Sequence, residues 1–132
     1  MPTAPDLVLY NIGINDASLA AFQAEFPSIL AHKQKYWPNA KMICLGMSPK
    51  QGANEAAVSV PIRSYMASTI SALNDSKIYY CSLANAFSSV GDTYYMTTDG
   101  TTNTTRIHPN DAGHLLMAGV ITQFITDNNI SI

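Results

Sequence analysis

Three short runs of apolar residues divide the chain and predict β-strands. The runs are DLVLYNIG at 6–13, KMICLGM at 41–47 and KIYYCSL at 77–83. Each run is almost continuously apolar, which is typical of strands that are covered on both faces of a sheet. The pattern therefore predicts a sheet buried between two layers of other elements.

The stretch between the first two runs has the spacing of a helix. Residues 18–37 predict a helix in which Pro27 marks a restart or a kink. Its predicted apolar positions are Leu19, Phe22, Phe26, Leu30 and Tyr36.

Two further stretches predict helices of the same kind. Residues 54–73 form the second, with Pro61 at an interruption, and residues 110–127 form the third. The third helix is expected to bury Leu115, Leu116, Val120, Ile121 and Phe124.

The alternation of strands and helices predicts right-handed βαβ crossovers and therefore a parallel α/β sheet. Sheets of this kind bind ligands at the carboxyl ends of their strands. The segments expected at that edge are NIGIND at 11–16, GMSPK at 46–50 and the residues that lead to His108. The irregular segment 89–107 precedes His108, and a loop of this length is more often functional than idle.

The composition narrows the class of protein. The chain has 132 residues, of which 47% are hydrophobic and 12% are charged, so we expect a single domain over 1–132 with a real core. A net charge of −2 excludes a basic surface for nucleic acid. No apolar run reaches the ~20 residues of a membrane span. A surface rich in Ser, Thr and Asn, as in TTDGTTNTT at 97–105, is typical of extracellular or virus-particle proteins.

The two cysteines do not indicate a disulfide framework or a metal site. Cys44 and Cys81 each fall within a predicted strand, where a free cysteine behaves as a small buried hydrophobe. No cluster of His, Cys, Asp or Glu has ligand spacing, so we expect neither a metal nor a cofactor.

The stretch RIHPNDAGH at 106–114 carries the clearest candidate chemistry. Proline disfavours helix at the preceding residue, so His108 should lie just outside the third helix, with Asn110 or Asp111 as the N-cap. A histidine in a rigid loop at a helix start suits proton transfer near neutral pH. The alternative for His108 is a loop histidine that faces solvent without a role.

The chain resembles a known family, the SGNH (GDSL-type) hydrolases, which are flavodoxin-like α/β esterases and lipases. The strand ending in Gly13-Ile14-Asn15-Asp16 is similar to the family's Gly-x-Asn-Asp block, and His108-Pro109 is similar to its His-Pro block. The order of the intervening elements also matches, so the resemblance extends over essentially the whole chain. It implies a flavodoxin-like parallel sheet with flanking helices that lacks the N-terminal strands.

The resemblance implies roles for two residues. Asn15 would donate its side-chain amide to the oxyanion of a tetrahedral intermediate, and His108 would be the general base. The alternative for Asn15 is an Asx-turn that caps the next helix, and Asp16 is expected to organise that turn. His114 and His32 lie within predicted helices and are expected to be structural.

The sequence departs from the family's pattern at two places. The family's nucleophilic serine lies in a Gly-Asp-Ser block ahead of the Gly-x-Asn-Asp strand, where this sequence has only MPTAP. We therefore expect a C-terminal portion of a hydrolase, inactive in isolation, whose nucleophile comes from a missing or separate N-terminal part. The family's aspartate three residues before the histidine is replaced by Thr105, so Asp99 or Thr105 is expected to orient the His108 ring.

Two hypotheses about function follow. The first is an ester hydrolase portion that acts on an acyl ester, with acetylated carbohydrate as one candidate, and forms a homo-oligomer or binds a complementing N-terminal fragment. The second is a non-catalytic structural or binding module of a particle or cell-surface protein. A flavodoxin-like binding domain is a weaker third reading, because no Gly-rich phosphate loop follows a predicted strand.

Overall fold

A three-stranded parallel sheet forms the centre of the chain. The computed structural model describes residues 4–13, 18–49, 55–88, 90–95 and 108–131. The strands are β1 (Leu7–Tyr10), β2 (Lys41–Gly46) and β3 (Ile78–Ser82), in the order β1-β2-β3. Both pairings are parallel, with Leu7 beside Lys41 and Met42 beside Ile78. The predicted α/β class and parallel sheet are confirmed.

The helices lie on both faces of this sheet. They are α1 (Leu19–Tyr36), α2 (Val60–Leu73), α3 (Ala84–Ser88) and α4 (Asp111–Asp127). Alternate side chains of β2 point to opposite faces: Met42 and Cys44 pack with α1 and α2, whereas Ile43 and Leu45 pack with α4. The near-continuous apolar run of β2 is explained by this burial on both sides.

The first helix follows the prediction closely but not completely. The Ser18 hydroxyl accepts a hydrogen bond from Ala21 N (3.2 Å), which caps the helix start. The helix continues through Pro27 without a restart, because Pro27 is exposed and the carbonyl that loses its partner is on the solvent side. Tyr36 was expected on the apolar face but is 54% exposed. The fourth buried position of the helix is instead Lys33.

The second helical stretch contains two kinds of helix. Residues Glu55–Ser59 form a π-helical turn, and α2 begins at Val60 with Pro61 in its first turn. Proline is well tolerated there, because the first backbone N–H groups of a helix have no partner within the helix. Pro61 therefore marks the beginning of the α-helix and does not interrupt it.

The sheet-facing stripe of the last helix departs from the prediction at Leu115 and Leu116. Leu116 is half-buried and is not among the residues that pack on the sheet. Leu115 was predicted to be buried but is 75% exposed. The residues that pack on the sheet follow helical spacing from Met117 through Val120 and Ile121 to Phe124. Leu115 lies two positions before that stripe and therefore points away from it.

The irregular region after β3 contains more regular structure than the sequence indicated. The short helix α3 was not predicted, and Gly91–Tyr94 form a 3₁₀ turn within a stretch expected to be irregular. Phe87 of α3 is buried and its ring lies 5.4 Å from that of Tyr95. In the described part of the chain, no helix is both long and apolar enough to cross a membrane.

Replacement of Phe26 by alanine should strongly destabilise the fold. Phe26 is fully buried, and its ring lies 5.0 Å from Phe22 and 5.9 Å from Tyr10. Loss of a buried phenylalanine typically lowers the free energy of unfolding by about 3–5 kcal/mol. Tyr36→Ala in the same helix is the control and should cost less than about 1 kcal/mol. Urea unfolding of the two variants measures the difference, and equal losses would contradict this packing.

Candidate functional site at the carboxyl edge of the sheet

The chain turns sharply where β1 ends. Gly13 has φ of +112°, a region that L side chains rarely adopt, and a Cβ there would lie 2.6 Å from Met47 Cε. Glycine therefore lets the end of β1 pack directly on the residue that follows β2. Asn15 and Asp16 come next in the sequence but lie outside the described residues, so their positions stay predictions.

His108 lies where the sequence predicted, in the chain that enters α4. The helix begins at Asp111 with Asn110 as its N-cap, which confirms that His108 and Pro109 precede it. His108 is exposed, and Pro109 forms an isolated antiparallel bridge with Tyr95. The histidine is thus held next to a fixed point of the backbone and is accessible from solvent.

Asn110 is the residue that fixes this segment. Its side-chain oxygen accepts from Gly113 N (3.0 Å), and its Nδ2 donates to the carbonyls of Thr93 (2.7 Å) and Tyr95 (3.2 Å). Its backbone N–H also donates to Tyr94 O (3.0 Å). Asparagine, unlike aspartate, can both accept and donate through its side chain. This explains why Asn110, and not Asp111, is the cap.

Gly113 allows the close approach of the same two segments. A Cβ at this position would collide with the Tyr94 carbonyl oxygen and would lie 2.7 Å from Pro109 Cβ. The first turn of α4 therefore packs directly against the backbone of the 3₁₀ turn. The Asn and Gly of HPNDAGH thus have a structural role, which is to place the residue that precedes them.

Tyr95 joins this assembly to the end of β2. Its side chain is buried, and its hydroxyl donates to Pro49 O (2.8 Å), three residues beyond the strand. Gly13 packs on Met47 and Tyr95 bonds to Pro49, so the turn after β1 and the His108 segment both border the chain that leaves β2. The distance between Asn15 and His108 stays a prediction.

An ion pair also lies at this edge and was not predicted. Arg63 of α2 pairs with Glu55 of the π-helical turn, and its Nη1 donates to Met47 O (3.5 Å). Both side chains are largely buried, so their mutual attraction is less screened than that of a surface pair. The signal in the sequence was Arg63 as the single charged residue of this helix.

The other candidate residues of the sequence lie elsewhere or are not described. His114 is exposed on α4, and the exposed His32 ring lies 4.4 Å from that of Tyr36. Asp99 and Thr105, the expected orienters of His108, lie outside the described residues and stay predictions. Among the described residues, no group of three or more His, Cys, Asp or Glu could hold a metal ion.

The cysteines are buried and unreactive in character, as expected. Cys44 and Cys81 are free thiols within β2 and β3. Burial raises the pKa of Cys44 to about 12 and also raises the pKa of Cys81. Since the thiolate is the nucleophilic form, neither residue is suited to replace a catalytic serine.

Loss of the Asn110 side chain should loosen the His108 segment and destabilise the fold. Removing an N-cap typically costs about 1–2 kcal/mol, and Asn110→Ala also leaves the Thr93 and Tyr95 carbonyls without these donors. The matched control is Asn128→Ala at the other end of α4, which removes one exposed hydrogen bond to Phe124 O. Thermal unfolding should show the larger fall in Tm for Asn110→Ala. A Tm equal to that of the control would argue against this role of Asn110.

Comparisons with known proteins agree with this architecture. A family model for the GDSL-like lipase/acylhydrolase family matches residues 2–116. Among solved structures, the salicylyl-acyltransferase SsfX3 from a tetracycline biosynthetic pathway has a similar fold, with a TM-score of 0.71 and 14% sequence identity. The match covers 98% of this chain and 39% of that one, so the present chain spans well under half of its structural neighbour. The search of curated proteins gave no match. The extent of the family match leads to the conclusion that the chain belongs to the GDSL-like lipase/acylhydrolase family.

Proposed function

We propose that this chain contributes the general base and an oxyanion-hole donor to a serine-dependent acyl-ester hydrolase. The observation that carries the proposal is the family match over residues 2–116, which includes both Gly13-Ile14-Asn15-Asp16 and His108-Pro109. The placement of Gly13 and His108 beside the chain that leaves β2 supports it, since ligands of open α/β sheets bind at this edge.

His108 is the general base of this proposal. It takes the proton from the serine hydroxyl as the serine oxygen attacks the ester carbonyl, and it then returns the proton to the departing alcohol. Water attacks the acyl-enzyme in the second half of the reaction, with the same histidine as base. The hydrogen bonds of Asn110 and the Tyr95–Pro109 bridge support this role, because a base must be held within hydrogen-bond reach of its proton donor.

Asn15 is the oxyanion-hole donor of this proposal. Its side-chain amide hydrogen-bonds the negatively charged oxygen of the tetrahedral intermediate, and one such donor is typically worth about 3 kcal/mol in the transition state. Asp99 or Thr105 orients the His108 ring by accepting from its second nitrogen. With aspartate the site is a triad, and with threonine or a backbone carbonyl it is a dyad.

The nucleophile comes from a segment that pairs with the outer edge of β1. The chain spans only 39% of its structural neighbour and contains no Gly-Asp-Ser block, so this proposal places the serine on a further segment or on another chain. In the described residues, β1 pairs only with β2; Leu9 of this strand is 50% exposed, and Ile12, two residues beyond its end, is 49% exposed. An open apolar edge of this kind is a template for an additional strand.

The substrate of this proposal is an acyl ester, and acetylated carbohydrate is one candidate. The structural neighbour is named an acyltransferase, so transfer of the acyl group to an acceptor other than water is the corresponding alternative for the second step. The two differ only in which nucleophile reaches the acyl-enzyme.

The 132-residue chain alone should show no esterase activity on p-nitrophenyl acetate. Formation of an acyl-enzyme requires a serine within hydrogen-bond reach of the base, and a site without its nucleophile retains only about 10³–10⁴-fold acceleration over water. Enzyme-like turnover that is lost in His108→Ala but kept in His114→Ala would contradict the separate nucleophile. Activity that appears only with the serine-bearing segment and is lost in His108→Ala would support it. A complete domain without activity would favour a non-catalytic binding module.

The purified chain should associate through the β1 edge. Light scattering is expected to give a mass above the 14.3 kDa of one chain, because the exposed edge pairs with another copy or with a complementing fragment. Leu9→Lys places a charge on this edge and should shift the protein toward the monomer. The matched control is Leu73→Lys, a partly exposed leucine of α2, which should leave the mass unchanged. A monodisperse monomer of the unaltered chain would contradict the prediction.

A further inference from the structure

Lys33 is buried on the inner face of α1, where the sequence spacing would place an apolar residue. Phe22, Phe26 and Leu30 precede it on the same stripe, and Lys33 is only 2% exposed. Burial lowers the pKa of its ammonium group, an effect that nearby Asp75 opposes and Lys77 reinforces. A buried ammonium is unfavourable unless an anion or hydrogen-bond acceptors compensate for the lost water.

Asp75 supplies part of that compensation, because its charge raises the pKa of Lys33 and Lys33 in turn lowers the pKa of Asp75. Asp75 is the nearby carboxylate, but its oxygens accept from Gln34 Nε2 (3.3 Å) and from Lys77 N (2.9 Å). Within the described ranges, no hydrogen bond or ion pair joins Lys33 Nζ to an acceptor. Lys33 Nζ is not among the fully enclosed polar atoms that lack a partner, so it borders open space and can be reached by a ligand.

Lys33 and His32 line a cavity whose other walls are apolar and aromatic. The cavity has a volume of about 360 Å³ and lies between α1 and the sheet. Its walls include Val8, Tyr10, Ile29, Trp37 and Met42. Ligand sites typically combine apolar walls with a few polar groups, and this volume is at the small end of their usual range of about 300–1,000 Å³.

We propose that this cavity binds a small organic carboxylate, whose charged group pairs with Lys33 and whose apolar body packs against Tyr10 and Trp37. The Lys33 ammonium matches the single charge of a carboxylate, and the apolar walls match its hydrocarbon part. Lys33 and Trp37 lie at the end of α1, next to the chain that enters β2, whereas His108 lies beyond the carboxyl ends of the strands. The site is therefore separate from the proposed catalytic edge and does not depend on the proposed hydrolase activity.

Fluorescence of Trp37 provides a direct test. Trp37 is the only tryptophan of the sequence and lines the cavity, so its emission reports on binding there. Titration of the full 132-residue chain with hexanoate should give a saturable change, with a Kd of about 1 mM or tighter for a ligand of this size. Acetate lacks the apolar body and hexylamine lacks the negative charge, so both should bind at least about tenfold more weakly.

Three variants separate binding by Lys33 from nonspecific adsorption. Lys33→Met keeps an unbranched side chain of similar length and should weaken hexanoate binding at least about tenfold. Lys35→Met changes an exposed lysine of the same helix and should leave the Kd unchanged. Ile29→Phe keeps the cation but fills the cavity, and it should also abolish binding. The conclusion then does not depend on the folding of the Lys33 variant alone.

The proposal is overturned by any of three results. These are no saturable response to hexanoate, an equal response to hexylamine, or an unchanged Kd in Lys33→Met. A fourth result would also overturn the proposal. It is a change in Trp37 emission when a chain is added along β1, with no binding of hexanoate, which would assign the cavity to an acidic side chain of that chain. Because no step of this experiment measures ester cleavage, its outcome is independent of the hydrolase assay.

Discussion

The burial of β2 on both faces is the constraint on which the rest of the structure depends. Its central residues are almost fully inaccessible, and they alternate between the layer of α1 and α2 and the layer of α4. A parallel strand buried in this way needs hydrogen-bonded neighbours on both edges and helices above and below it. The chain that leaves β2 consequently becomes a junction: Gly13 packs on Met47, Arg63 donates to the Met47 carbonyl, and Tyr95 donates to that of Pro49.

The sheet and the long helices could be predicted because burial leaves a periodic trace in the sequence. The continuous apolar runs indicated strands covered on both faces, and Asn110, one of the two N-cap candidates, marked where the last helix begins. Periodicity did not reveal where a stripe ends, so Tyr36 and Leu115 were wrongly expected to be buried and Lys33 was overlooked. The packing of a helix end depends on which neighbours cover it, and that information is not local. The five-residue helix α3 is too short to show a period at all.

The candidate site divides in the same way between local and distant determinants. The position of His108 ahead of a capped helix followed from the proline and asparagine that come after it. The partners of Asn110 could not be predicted, since Thr93 and Tyr95 lie 17 and 15 residues away in a stretch without periodicity. The same is true of Gly113, whose lack of a side chain is explained only by the carbonyl of Tyr94. These contacts explain how the chain holds His108 in place.

The bridge between Tyr95 and Pro109 has a consequence for how such a protein can diversify. The bridge brings the two ends of the intervening sequence together, as in a closed loop. Doubling the length of a closed loop raises its entropic cost by only about 0.6 kcal/mol. A change in the length of this segment therefore costs little stability, and His108 stays anchored through Pro109 and Asn110. The bridge separates the length of the segment, which can vary, from the anchored histidine and its proposed orienters, which cannot.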